Sequence, residues 1–293
     1  MKSKVVVFGG SGFLGSHVSD RLSVLGYKTT IFDINRTPWL RDDQDLVIGD
    51  ILDFEHVLEV IVGAKFVYNF AGMADLDKAL KAPFETVDLN IKGNLNILEA
   101  SRIHGVERLF YASTVYVHSR EGGFYRCSKQ AAEAYVKEYT RTFGLEHTIL
   151  RFGSLYGPRA DESNGMLRLL KEAVEEGKIT YRGHPESMRE YIHVEDAARA
   201  SVDAIGAEFC NQSIVLTGQE PMKVLDVLKM LVEVLNLPES SISFSDDLHT
   251  GHYIRTPYSY SSDVGRKYIP SMHVDLGQGL MQLIDDLKNR STQ

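Results

Sequence analysis

The stretch "VVVFGGSGFLGS" runs four apolar residues into glycines spaced three apart, Gly9, Gly12 and Gly15, and then into helical spacing. A strand that feeds a helix through a glycine turn commits the chain to a crossover, because the helix must lie back across the sheet. The alternation continues. Val5–Phe8, Lys28–Phe32, Leu46–Ile48, Phe66–Phe70, Leu109–Ala112 and Thr148–Arg151 read as strands, and Gly12–Leu25, Phe54–Ile61, Phe84–Ile103 and Tyr125–Phe143 read as helices between them. Near-continuous apolar strands separated by helices mean an α/β fold, a doubly wound parallel sheet covered on both faces. Beyond residue 157 the pattern loosens into helical stretches near 163–176, 194–205, 222–235 and 274–288. Residues 1–157 are therefore expected to form the sheet domain and residues 158–293 a smaller interwoven lobe. "YIHVEDAARA" and "SIVLTG", within 190–217, read as returns to the sheet.

Composition removes several function classes. The net charge of −8 lacks the basic surplus of a nucleic-acid binder, so no nucleic-acid partner is expected. Two cysteines, Cys127 and Cys210, are too few for a disulfide framework or a zinc site, and both read as small buried or half-buried side chains with no metal. The apolar run at the N-terminus is broken by glycine too early for a signal peptide, and no stretch approaches a membrane span. A cytoplasmic protein with no membrane partner is the expectation.

The glycine turn has a chemical use. Glycine bends the backbone sharply and exposes its amides to a pyrophosphate, while the helix start at Phe13 and Leu14 offers free N–H groups and the positive end of the helix dipole. "TTIFDIN" then places Asp33 at the end of the second strand, spaced to accept hydrogen bonds from a ribose diol. A carboxylate there repels a 2′-phosphate, so NAD is expected over NADP, with Arg36 on the surface. "VIGDILD" brings Asp50 and Ile51 to the third strand end, facing an adenine. "NFAG" brings the small residues Ala71 and Gly72 to the fourth. The domain reads as a Rossmann-type dinucleotide binder.

Ligands of such sheets sit beyond the carboxyl ends of the strands. In "FYASTVYVHSREGGFYRCSK", Thr114 follows the fifth strand directly, and Tyr125 and Lys129 lie four apart on one helix face. A tyrosine, a lysine ammonium that lowers its pKa and a hydroxyl that orients a substrate oxygen make a general-base centre.

With these residues in place the chain resembles the extended short-chain dehydrogenase/reductase family, in its branch of NAD-dependent epimerases and dehydratases acting on nucleotide sugars. "GGSGFLG", "GDILD", "NFAG", "LNIKGNLNILEA", "ASTVYV", "YRCSK", "RFGSLYGPR" and "REYIHVEDAARA" carry the resemblance, which extends from Val5 to about Leu287. It implies that Thr114 is the catalytic hydroxyl, Tyr125 the base and Lys129 the ribose-binding activator, and that Asn90 supports the active-site backbone beside the cofactor. It also implies that Arg189 and Arg255 hold the substrate pyrophosphate, and that the helix containing Tyr125 and Lys129 pairs with a second copy in a homodimer. Ala131, Ala132, Ala134, Val136 and Tyr139 read as the paired surface.

Three departures narrow the chemistry. Val115 and Tyr116 occupy the positions where similar sugar 4,6-dehydratases carry Asp-Glu, which disfavours dehydration. The segment from Thr114 to Tyr125 is short, and Ser154 stands where the family often has a substrate-binding asparagine; both enlarge the sugar site. His118 and Arg120 read as surface residues of that trimmed segment. The expected activity is oxidation at C4 of a nucleoside-diphosphate sugar, a 4-dehydrogenase reaction. A fainter likeness points to the GDP-heptose 4-dehydrogenases of bacterial capsule synthesis. A nucleotide-sugar 4-epimerase, a 4-keto-sugar reductase and a non-catalytic NAD sensor are the alternatives.

Overall fold

The computed structural model describes residues 3–245, 253–255, 266–268 and 272–290. The first half is built from β1 (Lys4–Phe8), α1 (Phe13–Val24), β2 (Lys28–Asp33), β3 (Gln44–Ile48), α2 (Phe54–Ile61) and β4 (Ala64–Asn69). It continues through α3 (Leu76–Lys81), α4 (Pro83–Val87), α5 (Asn94–Ile103), β5 (Arg108–Thr114), α6 (Gly123–Phe143) and β6 (Glu146–Phe152). Then follow β7 (Ser154–Tyr156), α7 (Gly165–Glu176), β8 (Ile179–Arg182), β9 (Met188–Arg189), β10 (Tyr191–His193) and α8 (Val194–Asp203). The chain ends with β11 (Gln212–Leu216), β12 (Met222–Lys223), α9 (Val224–Val234), β13 (Ile242–Ser245), β14 (Arg266–Lys267) and α10 (Leu276–Arg290).

Among the described residues, eight strands form one sheet in the order β14-β11-β6-β5-β4-β1-β2-β3, and every pairing in it is parallel. The order reverses between β1 and β4, which opens a crevice beyond their carboxyl ends. Alternation along β1 explains the layering. Val5 and Val7 face one core, shared with α1 and α8, whereas Val6 and Phe8 face the other, shared with α2, α5 and α6. The smaller lobe has its own core, from Leu170 of α7, Leu228 and Leu231 of α9 and Leu283 of α10. Of the two expected returns, "SIVLTG" contributes β11 beside β6, but "YIHVEDAARA" pairs its strand β10 with β7 in a separate two-stranded ladder. Among the described residues no helix is long and apolar enough to cross a membrane.

Local details depart from the sequence reading. The helix expected over 84–103 is a continuous run whose middle, Asp88–Gly93, is a π-turn, and helix α3 precedes it. Cys127, expected at least half-buried, is exposed, because Tyr125, Ser128, Lys129 and Ala132 take the inward face of α6. Ala132 and Val136, expected on a paired surface, are buried in the chain's own core.

Candidate active site

Helix α1 begins at Phe13, and Gly12 at its N-cap provides no side-chain cap, so its first amides are free to meet an anion. A Cβ at Gly15 would run into the Gly9 carbonyl, which is why the turn can close this tightly. Asp33 anchors the turn from the end of β2. Its carboxylate accepts from the Ser11 amide at 3.0 Å and from the Asn35 amide at 3.0 Å. Gly72 has φ +142° and abuts Asn90, whose Oδ1 accepts from Met73 N at 2.7 Å while its Nδ2 donates to Met73 O and to Ser128 Oγ. Asn90 thus ties the β4 loop to α6 from within the π-turn, a common use of that irregularity. Uncapped helix amides, a glycine turn and a carboxylate at the end of β2 are together a donor and acceptor set suited to a dinucleotide.

A cleft of 860 Å³ runs from this turn along the carboxyl edge of the sheet to the smaller lobe. Gly9, Gly12, Phe13, Leu14, Gly15, Gly72, Thr114, Tyr125, Lys129, Ser154 and Arg189 line it. Asp33, Asp50, Ile51, Ala71 and Asn90 stand behind or beside the lining; Asp50 is exposed and Ile51 packs under Gly93. Arg255 is exposed and lies outside the lining.

At the centre, Thr114 and Tyr125 share a side-chain hydrogen bond, and the Thr114 hydroxyl also accepts from the Tyr116 amide at 3.3 Å. Lys129 Nζ donates to the Ala112 carbonyl at 2.9 Å and lies 5.9 Å from the centre of the Tyr125 ring. All three residues are buried. Burial pushes the Tyr125 phenol up to about 12, only partly offset by the Thr114 hydrogen bond. Burial likewise pulls Lys129 down to about 8, opposed by the negative charge of Glu133 one turn on. Desolvation outweighs the pairwise effect at this depth.

The wall next to this centre is aromatic. Tyr116 lies 6.4 Å from Tyr125 and 4.9 Å from Tyr253, ring centre to ring centre, and burial raises its phenol well above the ordinary tyrosine range. Val115 turns away from the cleft to pack on Val215 and Tyr253. Arg189 donates to the carbonyls of Met188 and Tyr253, reaches the Tyr181 hydroxyl at 3.3 Å and stacks 4.5 Å from the Tyr253 ring. Ser154 shares a hydrogen bond with Tyr253.

Sequence reading missed the support behind the centre. Glu133 receives the Ser113 hydroxyl and two Arg151 nitrogens, and a third Arg151 nitrogen sits 3.0 Å from His118 Nε2. His118 is therefore a buttress of the turn over 115–118 that does not line the cleft, whereas Arg120 is exposed. Glu133 falls four residues after Lys129, the one sequence signal that could have marked it.

The family model for the NAD dependent epimerase/dehydratase family matches residues 5–215. A dTDP-glucose 4,6-dehydratase of Mycobacterium tuberculosis is 26% identical over 310 residues, covering 96% of this chain and 92% of that protein. A putative UDP-glucose 4-epimerase of Methanocaldococcus jannaschii is 26% identical over 251 residues, covering 77% and 81%. Among solved structures, the UDP-glucuronic acid 4-epimerase of Bacillus cereus in complex with UDP-glucuronic acid and NAD superposes with a TM-score of 0.86. Its sequence is 22% identical, and the match covers 98% of this chain and 99% of that one. The chain belongs to the NAD-dependent epimerase/dehydratase family.

Proposed function

We propose that the protein oxidises C4 of a nucleoside-diphosphate sugar to a ketone, as an NAD-dependent 4-dehydrogenase. The observation that carries this reading is the convergence of Thr114, Tyr125 and Lys129 on one stretch of the cleft that begins at the glycine turn. In this scheme the Thr114 hydroxyl and the Tyr125 phenol hold the 4-oxygen of the sugar between them, and Tyr125 takes its proton. Bound NAD supplies the hydride acceptor and a positive charge next to the phenol. Lys129, whose charge Glu133 favours against burial, holds the nicotinamide ribose. Asp33 takes the adenosine ribose diol, the amides of Phe13 and Leu14 take the pyrophosphate, and Asp50, Ile51, Ala71 and Asn90 shape the rest of the cofactor groove. Ser154 and Arg189 face the substrate, and Arg255 meets its pyrophosphate from outside the described cleft.

Dehydration is disfavoured despite the name of the mycobacterial relative. It needs an acid and a base near C5 and C6, and the two positions after Thr114 supply neither. Val115 is apolar and faces the core, and the raised Tyr116 phenol holds its proton throughout the neutral range. A 4-epimerase, the second reading, is supported by the names of the Methanocaldococcus and Bacillus proteins. It uses the same first step, then returns hydride to the opposite face. The catalytic centre acts at C4 in either case and is indifferent to the base; the sequence resemblance puts a GDP-heptose first. The test is incubation with NAD and GDP-, UDP-, CDP- and dTDP-sugars in D₂O, followed by NADH fluorescence and NMR. A 4-keto sugar with its C6 hydroxyl intact and NADH formed is expected, and a 4-keto-6-deoxy product would refute the reading.

We also propose a cytoplasmic homodimer paired through α6 and the neighbouring helical run. Phe84 (87% exposed), Val87 and Tyr135 leave apolar surface on these helices, which supports pairing. A monomer at micromolar concentration in light scattering would overturn it.

A further inference from the structure

Lys129 is 6% exposed, so its charge is drawn almost wholly out of water. An ammonium has three protons to donate, and Nζ gives one to the Ala112 carbonyl at 2.9 Å. Glu133, one helical turn on, favours the charge, but its carboxylate is itself bound to Arg151 and to the Ser113 hydroxyl. The rest of what Nζ faces is aromatic. It lies over the Tyr111 ring, 4.9 Å from the ring centre, and 5.9 Å from the centre of the Tyr125 ring. The face of such a ring is the negative part of its quadrupole and attracts a cation within about 6 Å, most strongly where water is excluded. Tyr111 is 1% exposed, so nothing screens this contact.

Tyr111 stands on β5, three residues before Thr114, and has no part in the chemistry described above. Its hydroxyl has no hydrogen-bond partner among the described residues, and burial raises it well above the ordinary tyrosine range. The hydroxyl therefore gives no reason for the residue, whereas the ring does. We propose that Tyr111 is a positioning residue whose ring face holds the Lys129 ammonium in place and favours its charge against burial. The titratable groups around Nζ are Tyr111 from β5 and Tyr125 and Glu133 from α6, with Arg151 of β6 behind Glu133. Burial raises both phenols, so they stay neutral where an ammonium titrates, and it pulls Lys129 down to about 8. Weakening the ring face should lower Lys129 further. The effect on hydride transfer rests on the reading that Lys129 serves the cofactor; the effect on its charge does not.

The test is a pH titration of the full chain by carbon-13 NMR, with lysine labelled at Cε and the Lys129 signal assigned by its loss in Lys129→Met. Tyr111→Phe is compared with the same variant bearing one, two and three ring fluorines, which keep the shape of the ring while draining negative charge from its face. Tyr111→Phe should titrate within about 0.3 pH unit of the parent, because the face is retained. Successive fluorines should lower the midpoint stepwise, by about one pH unit in all, the scale of a desolvated cation–π contact. The alkaline loss of hydride transfer should move with it. A midpoint indifferent to fluorine would overturn the proposal. So would a Tyr111→Phe shift as large as that of the trifluorinated ring, which would assign the effect to the hydroxyl. A midpoint that follows the fluorines while the rate profile stays fixed would establish the contact and overturn the cofactor role of Lys129.

Discussion

Replacing Glu133 by glutamine removes one negative charge and almost no volume from beneath Thr114, Tyr125 and Lys129. Arg151 is 1% exposed and Glu133 5%, so both charges are withdrawn from water. Their bonds are short, 3.0 Å and 2.7 Å from Arg151, with the Ser113 hydroxyl at 2.6 Å on the same carboxylate. Ser113 precedes Thr114, and Lys129 is one turn before Glu133, so this pair joins the strand and helix that carry Thr114, Tyr125 and Lys129. The amide takes the carboxylate away from the buried Arg151 guanidinium, and a buried ion pair that loses one partner costs about 3–5 kcal/mol. That is a large part of the roughly 5–15 kcal/mol that holds a domain folded. Urea unfolding at neutral pH, followed by circular dichroism, measures it. Glu133→Leu combined with Arg151→Met should recover most of the loss, because apolar residues of similar volume replace a buried pair at little cost. A Glu133→Gln loss below about 1 kcal/mol, the range of exposed pairs, would show that water reaches this site and would refute the argument.

Tyr125→Phe should fold and bind NAD but lose roughly 10²-fold or more in hydride transfer, the scale of a missing general base; near-normal single-turnover rates would contradict its role. Asp33 should make NAD bind at least about tenfold more tightly than NADP, because the carboxylate faces any 2′-phosphate; equal affinities by titration would shift control to Arg36. His147 and His193 are buried, and burial pulls both from 6.5 down to about 4. The unfolded chain binds these protons first as pH falls, so their contribution is full above 6.5 and is lost toward 4. The midpoint of thermal unfolding should fall across that window, and a flat profile would contradict the burial of both rings.

The parallel sheet was legible because its strands are apolar without interruption and its helices keep a period near 3.6 residues; six strands fell where the runs predicted them. The π-turn was not legible. One extra residue per turn shifts the pattern by too little to see, and its cause is tertiary: Asn90 must reach both Met73 and Ser128. Strand β10 left the main sheet for β7, a choice made by packing and not by its apolar residues.

At the site, spacing was enough wherever two residues share one element, as with Tyr125 and Lys129. It was not enough for their charge states, because the depth of burial that dominates both is a property of the assembled cleft. Tyr253 makes the limit plain. Nothing near it in the sequence connects it to Tyr116 or Arg189, yet its ring lies within 4.9 Å of both, measured to the Tyr116 ring centre and the Arg189 guanidinium carbon. Periodicity assigns a residue to a face of its own element, whereas the far wall of the cleft forms where elements distant in sequence meet over the carboxyl edge of the sheet. Thr114, Tyr125 and Lys129, proposed to act at C4, lie on β5 and α6, consecutive elements, and so could be read in order. Those that line the far end of the cleft lie on α7, β8 and the segment at Tyr253, and no spacing within one element connects them.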